Sequence, residues 1–182
     1  MKKNGISLLF SLFALLLAFQ VNAQNKPAAS PLGKVYQRVG VTDIEVTYSR
    51  PGVKDRTVFA DKGLTPFGNL WRTGANAATT ISLSTDAMIG GKKVPAGTYS
   101  ILSIPGKEKW TMIINSDATL RGTGGYDQAK DVARFEVEAV EFPMAVETMT
   151  FVFGNVKDTS AGLSLIWEKT MVTIPIEVEK TW

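Results

Sequence analysis

The chain has 182 residues, 45% hydrophobic and 20% charged, with a formal net charge of +3 and neither cysteine nor histidine. That length suits one domain with a full-sized core. The two missing residue types exclude disulfides, thiolate and Ser-His-Asp catalysis, and ordinary zinc or copper sites built from the chain's own side chains.

The N-terminus opens with Met1-Lys2-Lys3, then an apolar run from Ile6 to Val21, then Val21-Asn22-Ala23 ahead of Gln24. A basic start, a short apolar core and a small-residue cleavage end are the marks of a secretory signal, and the run is short for a bilayer span. Cleavage after Ala23 is expected. No Cys follows the run, so a lipid anchor is not expected. Lys2 and Lys3 leave with the signal, which brings the remaining charge close to neutral and argues against a nucleic-acid or membrane-surface binder. Residues 24–33, with Pro27 and Pro31, read as a flexible lead-in, and residues 34–182 as a single β-sandwich domain.

From there period-two alternation dominates. Ile44, Val46 and Tyr48 alternate with Asp43, Glu45 and Thr47; Ile81 and Leu83 with Thr80 and Ser82. Gly90-Gly91 marks a tight hairpin, because paired glycines tolerate positive φ. Pro95-Ala96-Gly97 and Pro105-Gly106 bracket another strand, and Trp110, Met112 and Ile114 share a face of the next. Between Arg134 and Phe142 the apolar set moves from odd positions to even ones, which predicts a β-bulge near Ala139. Met149, Phe151 and Phe153, then Leu163, Leu165 and Trp167, then Val172, Ile174 and Ile176 complete the series. Pro175 lacks an N–H, so its strand is expected to lie at an edge or to bulge there. About ten strands and one helical turn near 127–132 predict an all-β fold, an antiparallel two-sheet sandwich of the jelly-roll type, with a closed up-and-down barrel as the alternative.

Two stretches break the alternation. Arg50 to Ala78 carries Pro51, Pro66 and four glycines. A connection this long is functional or disordered more often than not. Phe59, Leu64, Phe67, Leu70 and Trp71 argue against disorder and predict a lid packed on the sandwich. The second stretch, 115–131, holds Arg121-Gly122-Thr123-Gly124-Gly125 and then Tyr126-Asp127. It resembles a phosphate loop only in composition, without the Lys-Ser/Thr or the following helix.

The phrases YSRPGVKDR, TPFGNLWRTGANAATT, VPAGTYSILSIPG, WTMIIN, YDQAKDVAR and LIWEKTMV, in this order, resemble the family called domain of unknown function 2911, over residues 30–175. The resemblance implies an exported protein of Bacteroidetes-type bacteria and supplies no reaction. The family's Trp-Gly element before the Tyr-Asp phrase is replaced here by Leu120-Arg121-Gly122.

Candidate ligand-binding residues are Arg50, Arg56, Trp71, Arg72, Thr73, Asn76 and Tyr126. Arginine forks suit carboxylate and phosphate, and glycines let main-chain N–H groups approach an anion. The competing explanation is a clamp, in which Asp43, Asp55, Asp61 and carbonyl groups satisfy the arginines and merely hold the loop. Trp71 is more often core than a stacking platform. Carboxylate pairs for glycosidase-type work would have to come from Asp43, Glu45, Asp61, Asp127 and Asp131. Asp127 and Asp131 do not have the spacing of a known calcium loop; no metal, cofactor or catalytic residue is assigned.

The function expected is a periplasmic or secreted binding or interaction module with a groove formed by the 50–78 loop. Its partner would be an anionic or carbohydrate small ligand, or an envelope protein, with no nucleic acid and no membrane contact after signal cleavage. The alternatives are a hydrolase or lyase acting on glycan or cell-wall material, and a purely structural envelope protein. N-terminal mass spectrometry of protein from the native envelope fraction is expected to find Gln24 as the first residue; an intact Met1 form would contradict it.

Overall fold

The structure, a computed structural model, describes residues 27–180; the expected signal and its cleavage point lie outside the described residues. Among the described residues eleven strands run in the order β1 (Leu32–Val39), β2 (Thr42–Ser49), β3 (Phe59–Ala60), β4 (Thr65–Pro66), β5 (Thr79–Leu83), β6 (Ala87–Ile89), β7 (Lys92–Val94), β8 (Gly97–Ile104), β9 (Lys109–Asn115), β10 (Asp131–Gly154) and β11 (Ser160–Glu177). A 3-10 turn at Gln128–Lys130 is the one helical element among the described residues. The fold is all-β, as the alternation predicts. β1 already starts inside the stretch read as lead-in, where Arg50 N–H donates to the Pro31 carbonyl at 2.9 Å.

Nine strands form one antiparallel sheet in the order β1-β2-β5-β8-β9-β10-β11-β6-β7, and β3 and β4 make a small parallel pair inside the 50–78 segment. The order ends at β1 and β7 without returning, so the closed up-and-down barrel is excluded. The two ends differ. β7 is three residues long and shows Lys92 and Lys93 to solvent, the usual protection of an edge. β1 is eight residues long, with Leu32 and Tyr36 exposed.

Alternation works here because one face of each strand is buried. Ile44, Ile81, Ile101, Met112 and Phe135 belong to the same apolar cluster as Ile89, Leu163, Leu165, Val172 and Ile174. Tyr48 ties β2 to β10: its ring meets Phe151 edge-on at 4.9 Å, and its hydroxyl accepts the Phe151 N–H at 3.0 Å.

The long strands depart from the simple pattern. β10 pairs with β9 through Glu138, then with β11 from Ala139 onward. The bulge expected near Ala139 is instead this change of partner, and the register slips fall elsewhere, between Asp131 and Ala133 against β9 and between Glu141 and Thr150 against β11. β11 doubles back at Glu168, which sits at φ 55°. The hydroxyls of Ser164 and Thr173 are 2.8 Å apart, and Val178 N–H donates to the Thr159 carbonyl at 2.9 Å. Nine residues of straight strand would separate Ser164 and Thr173 by about 30 Å. Pairing with β10 stops at Val172, so the missing N–H of Pro175 costs no bond to β10, and its carbonyl accepts from Gly90 N–H at 2.9 Å.

The Gly90-Gly91 hairpin offers a direct check of the packing. Both residues have positive φ, 57° and 73°, but a Cβ at Gly90 would run into the Phe135 ring while one at Gly91 meets nothing within 4 Å. In urea denaturation, Gly91→Ala is expected to cost about 1 kcal/mol, the backbone term alone. Gly90→Ala is expected to cost at least about 2 kcal/mol, because overpacking adds to it. Equal losses would contradict the close approach to Phe135.

Candidate functional site

The 50–78 segment is held at several points by its own aromatic residues and by main-chain bonds. Gly52 bridges to Thr148 in β10, and Trp71 bridges to Ser103 in β8. Trp71 donates its N–H to the Ser103 carbonyl at 2.7 Å and accepts from Ser103 N–H at 2.9 Å. Its indole N–H donates to the Gly74 carbonyl at 3.1 Å. The ring stacks on Trp167 at 5.8 Å and 21°, and meets Phe59 and Trp110 edge-on at 5.9 and 6.0 Å. Of the residues expected to pin the lid, Phe59 and Trp71 pack against the main core and Leu70 against a second cluster, while Leu64 stays exposed.

The three arginines of this segment behave differently. Arg50 donates Nε to the Met149 carbonyl at 3.1 Å and Nη2 to Thr150 Oγ1 at 2.8 Å, fastening the end of β2 to β10. Arg56 donates Nε to the Val53 carbonyl at 3.0 Å and Nη2 to the Gly52 carbonyl at 2.7 Å, closing its own turn. Among the described residues Arg72 donates only Nη1, to the Asn76 carbonyl at 3.2 Å. The acidic partners expected for a clamp are not used: Asp43 pairs with Arg38 and Tyr36 instead. The hydrogen bonds from Arg38 and then Tyr36 hold the Asp43 carboxyl at about 2.

Arg56, Trp71, Arg72 and Asn76 line one cavity of about 350 Å³, together with Ser30 and Trp167. No Asp or Glu lines it. Asn76 donates Nδ2 to the Ser30 carbonyl at 3.2 Å and to Ser49 Oγ at 3.4 Å. Trp71 is 9% exposed and Trp167 1%, so each offers the cavity only a small part of its ring. Trp71 is therefore core that borders the cavity. Thr73 is fully buried at φ 53°, its hydroxyl bonded to Ser103 Oγ at 2.9 Å, and stays out of the cavity. Arg50 does not line it either. Sequence reasoning missed Trp167 and Ser30. Trp167 reads as an ordinary inward strand residue, and Ser30 lies in the apparent lead-in.

Tyr126 belongs elsewhere. Its hydroxyl donates to Asp131 Oδ2 at 2.6 Å and accepts from Arg134 Nη1 at 3.2 Å. Burial, then the bond to Asp131, pushes its pKa up. Asn115 donates to Asp131 Oδ1 at 2.8 Å and to the Asp127 carbonyl at 3.0 Å, and Asp127 caps the 3-10 turn. Thr119 and Lys130 hold Asp117 at about 2. Among the described residues no three acidic side chains converge on a possible metal position.

A family model, described as protein of unknown function (DUF2911), matches residues 30–176, and the chain belongs to that family. No curated protein and no solved structure matches the chain.

Because Arg50 and Arg72 differ in partners, Lys substitution should separate them. Arg50→Lys loses a two-pronged contact and leaves Met149 or Thr150 short of a donor. It is expected to lower unfolding free energy by about 1–3 kcal/mol. Arg72→Lys is expected to change it by no more than about 0.5 kcal/mol. Chemical denaturation of both variants reads the difference, and a larger loss from Arg72→Lys would make Arg72 the clamp.

Proposed function

We propose that this member of the DUF2911 family is a periplasmic or secreted binding module, and that the cavity beneath the 50–78 segment takes a small anionic ligand. The observation that carries this reading is a cavity bordered by two guanidinium groups with unspent donors and no carboxylate. A guanidinium presents five N–H donors in a fixed fork that matches carboxylate or phosphate, and among the described residues Arg72 uses one of them. A volume of about 350 Å³ falls at the small end of ligand pockets. The export location rests on the N-terminal signal pattern.

Anion recognition is favoured over sugar stacking. Trp71 and Trp167 stack on one another and are 9% and 1% exposed, too little to offer a ring face to a pyranose. The hydrolase alternative gains no support, since Asp43, Asp127 and Asp131 are engaged away from the cavity. We also read the doubled β11 and the curled sheet as the two facing layers of a jelly-roll sandwich, supported by the single core between them.

Isothermal titration of the mature chain with benzoate, inorganic phosphate and phenyl phosphate tests the reading. At least one is expected to bind, and Arg72→Ala is expected to weaken it at least about tenfold, the worth of one charged hydrogen bond. If none binds, or if binding ignores Arg72→Ala, the segment is scaffold and the module reading fails.

A further inference from the structure

The glycine-rich turn at 121–125 has no part in the fold that accounts for its residues. Its feet are fixed. Leu120 is buried against Leu102 and Ile113, and its carbonyl accepts from Ala78 N–H at 2.9 Å. Tyr126 packs on the same cluster, and its N–H donates to the Thr123 carbonyl at 3.2 Å. Between these anchors Arg121 is exposed and makes no hydrogen bond or ion pair among the described residues. Gly122 has φ 84°, and a Cβ there would lie 3.8 Å from Arg72 Nη1. Gly124 faces open space. The second irregular segment thus stands directly beside the arginine that borders the cavity.

An exposed arginine is usually a solvated surface charge. The setting here is different. Arg56 and Arg72 share a cavity with no acid on its walls, and Arg121 precedes Gly122, whose open side faces Arg72. Like charges gathered without a counter-charge repel one another, and a bound anion relieves the repulsion. One carboxylate has two oxygens and one charge, enough for a single fork. A phosphate monoester carries about −1.5 to −2 charge and three acceptor oxygens, and so can use more than one guanidinium. Apolar walls from Pro51, Leu64 and Trp167 give room for an organic group besides the phosphate.

We propose that the ligand of the Arg56–Arg72 cavity is a phosphate monoester, with Arg121 of the 121–125 turn as a further phosphate-binding residue. This rests on the cavity being a ligand site. The test compares phenyl phosphate with benzoate by titration and tryptophan fluorescence, on wild type, Arg121→Ala, Arg121→Lys and Arg72→Ala. Melting curves confirm that each variant is folded. Wild type is expected to prefer phenyl phosphate at least about tenfold, with Arg121→Ala removing most of that preference and sparing benzoate, and Arg121→Lys keeping part of it. Equal affinity for benzoate, or a preference untouched by Arg121→Ala, overturns the phosphate assignment. The anion cavity itself survives that result if Arg72→Ala still abolishes benzoate binding. Binding of neither probe, or binding insensitive to both arginines, overturns the cavity reading and this proposal with it.

Discussion

Trp71 is fixed from three directions, and the shape of the candidate site follows from that. Its main chain takes the place on β8 beyond the end of β5, which pairs only with Gly97–Ile101. Its indole N–H closes a turn onto Gly74. Its ring is clasped by Trp167, Phe59 and Trp110. Each aromatic pair adds about 0.5–1.5 kcal/mol beyond area burial, so the anchor is strong enough to hold a segment that makes few other regular contacts. Arg72 and Asn76 follow immediately in sequence. Their place at the cavity is a consequence of where Trp71 is held.

Holding them there requires an unfavourable backbone. Thr73 and Asn76 both have positive φ, 53° and 59°, and Thr73 is β-branched, for which this region is a clear outlier. Each such residue costs about 1–3 kcal/mol unless its surroundings enforce it. Here they do: Thr73 Oγ1 bonds Ser103 Oγ, and the Thr73 carbonyl accepts from Thr79 Oγ1 at 2.8 Å. Gly74 is required between them, because a Cβ would lie 2.6 Å from Thr79 Oγ1. A segment needed only to join β2 to β5 has easier routes than this one.

Most strands were legible because burial on one face imposes period two, and that signal is local. Ile44, Ile81, Met112, Leu165 and Ile174 point inward as their alternation predicts. What escaped depends on partners far away in the chain. Arg50 and Arg72 look alike in sequence, but Arg50 is spent because Met149 and Thr150 arrive beside it, 99 and 100 residues on. Tyr126 follows a glycine cluster and suggested a site, yet its hydroxyl goes to Asp131. The reversal of β11 at Glu168 carries no glycine, asparagine or proline to mark it. Trp167 serves both core and cavity wall, a double role that periodicity cannot separate.

The two irregular segments meet for a reason that can be stated without invoking a ligand. Leu102 and Ile113 lie on the face of β8 and β9 opposite the main core, and an apolar pair there must be covered. Leu70 and Ala78 cover it from one side, Leu120 and Tyr126 from the other, and the Ala78–Leu120 main-chain bond joins the two. That cover explains the apolar residues of both segments. It explains none of the arginines. Arg72 and Arg121 are not among the covering side chains, and neither forms an ion pair among the described residues. Packing brings the two segments together; Arg72 and Arg121 are what packing does not require.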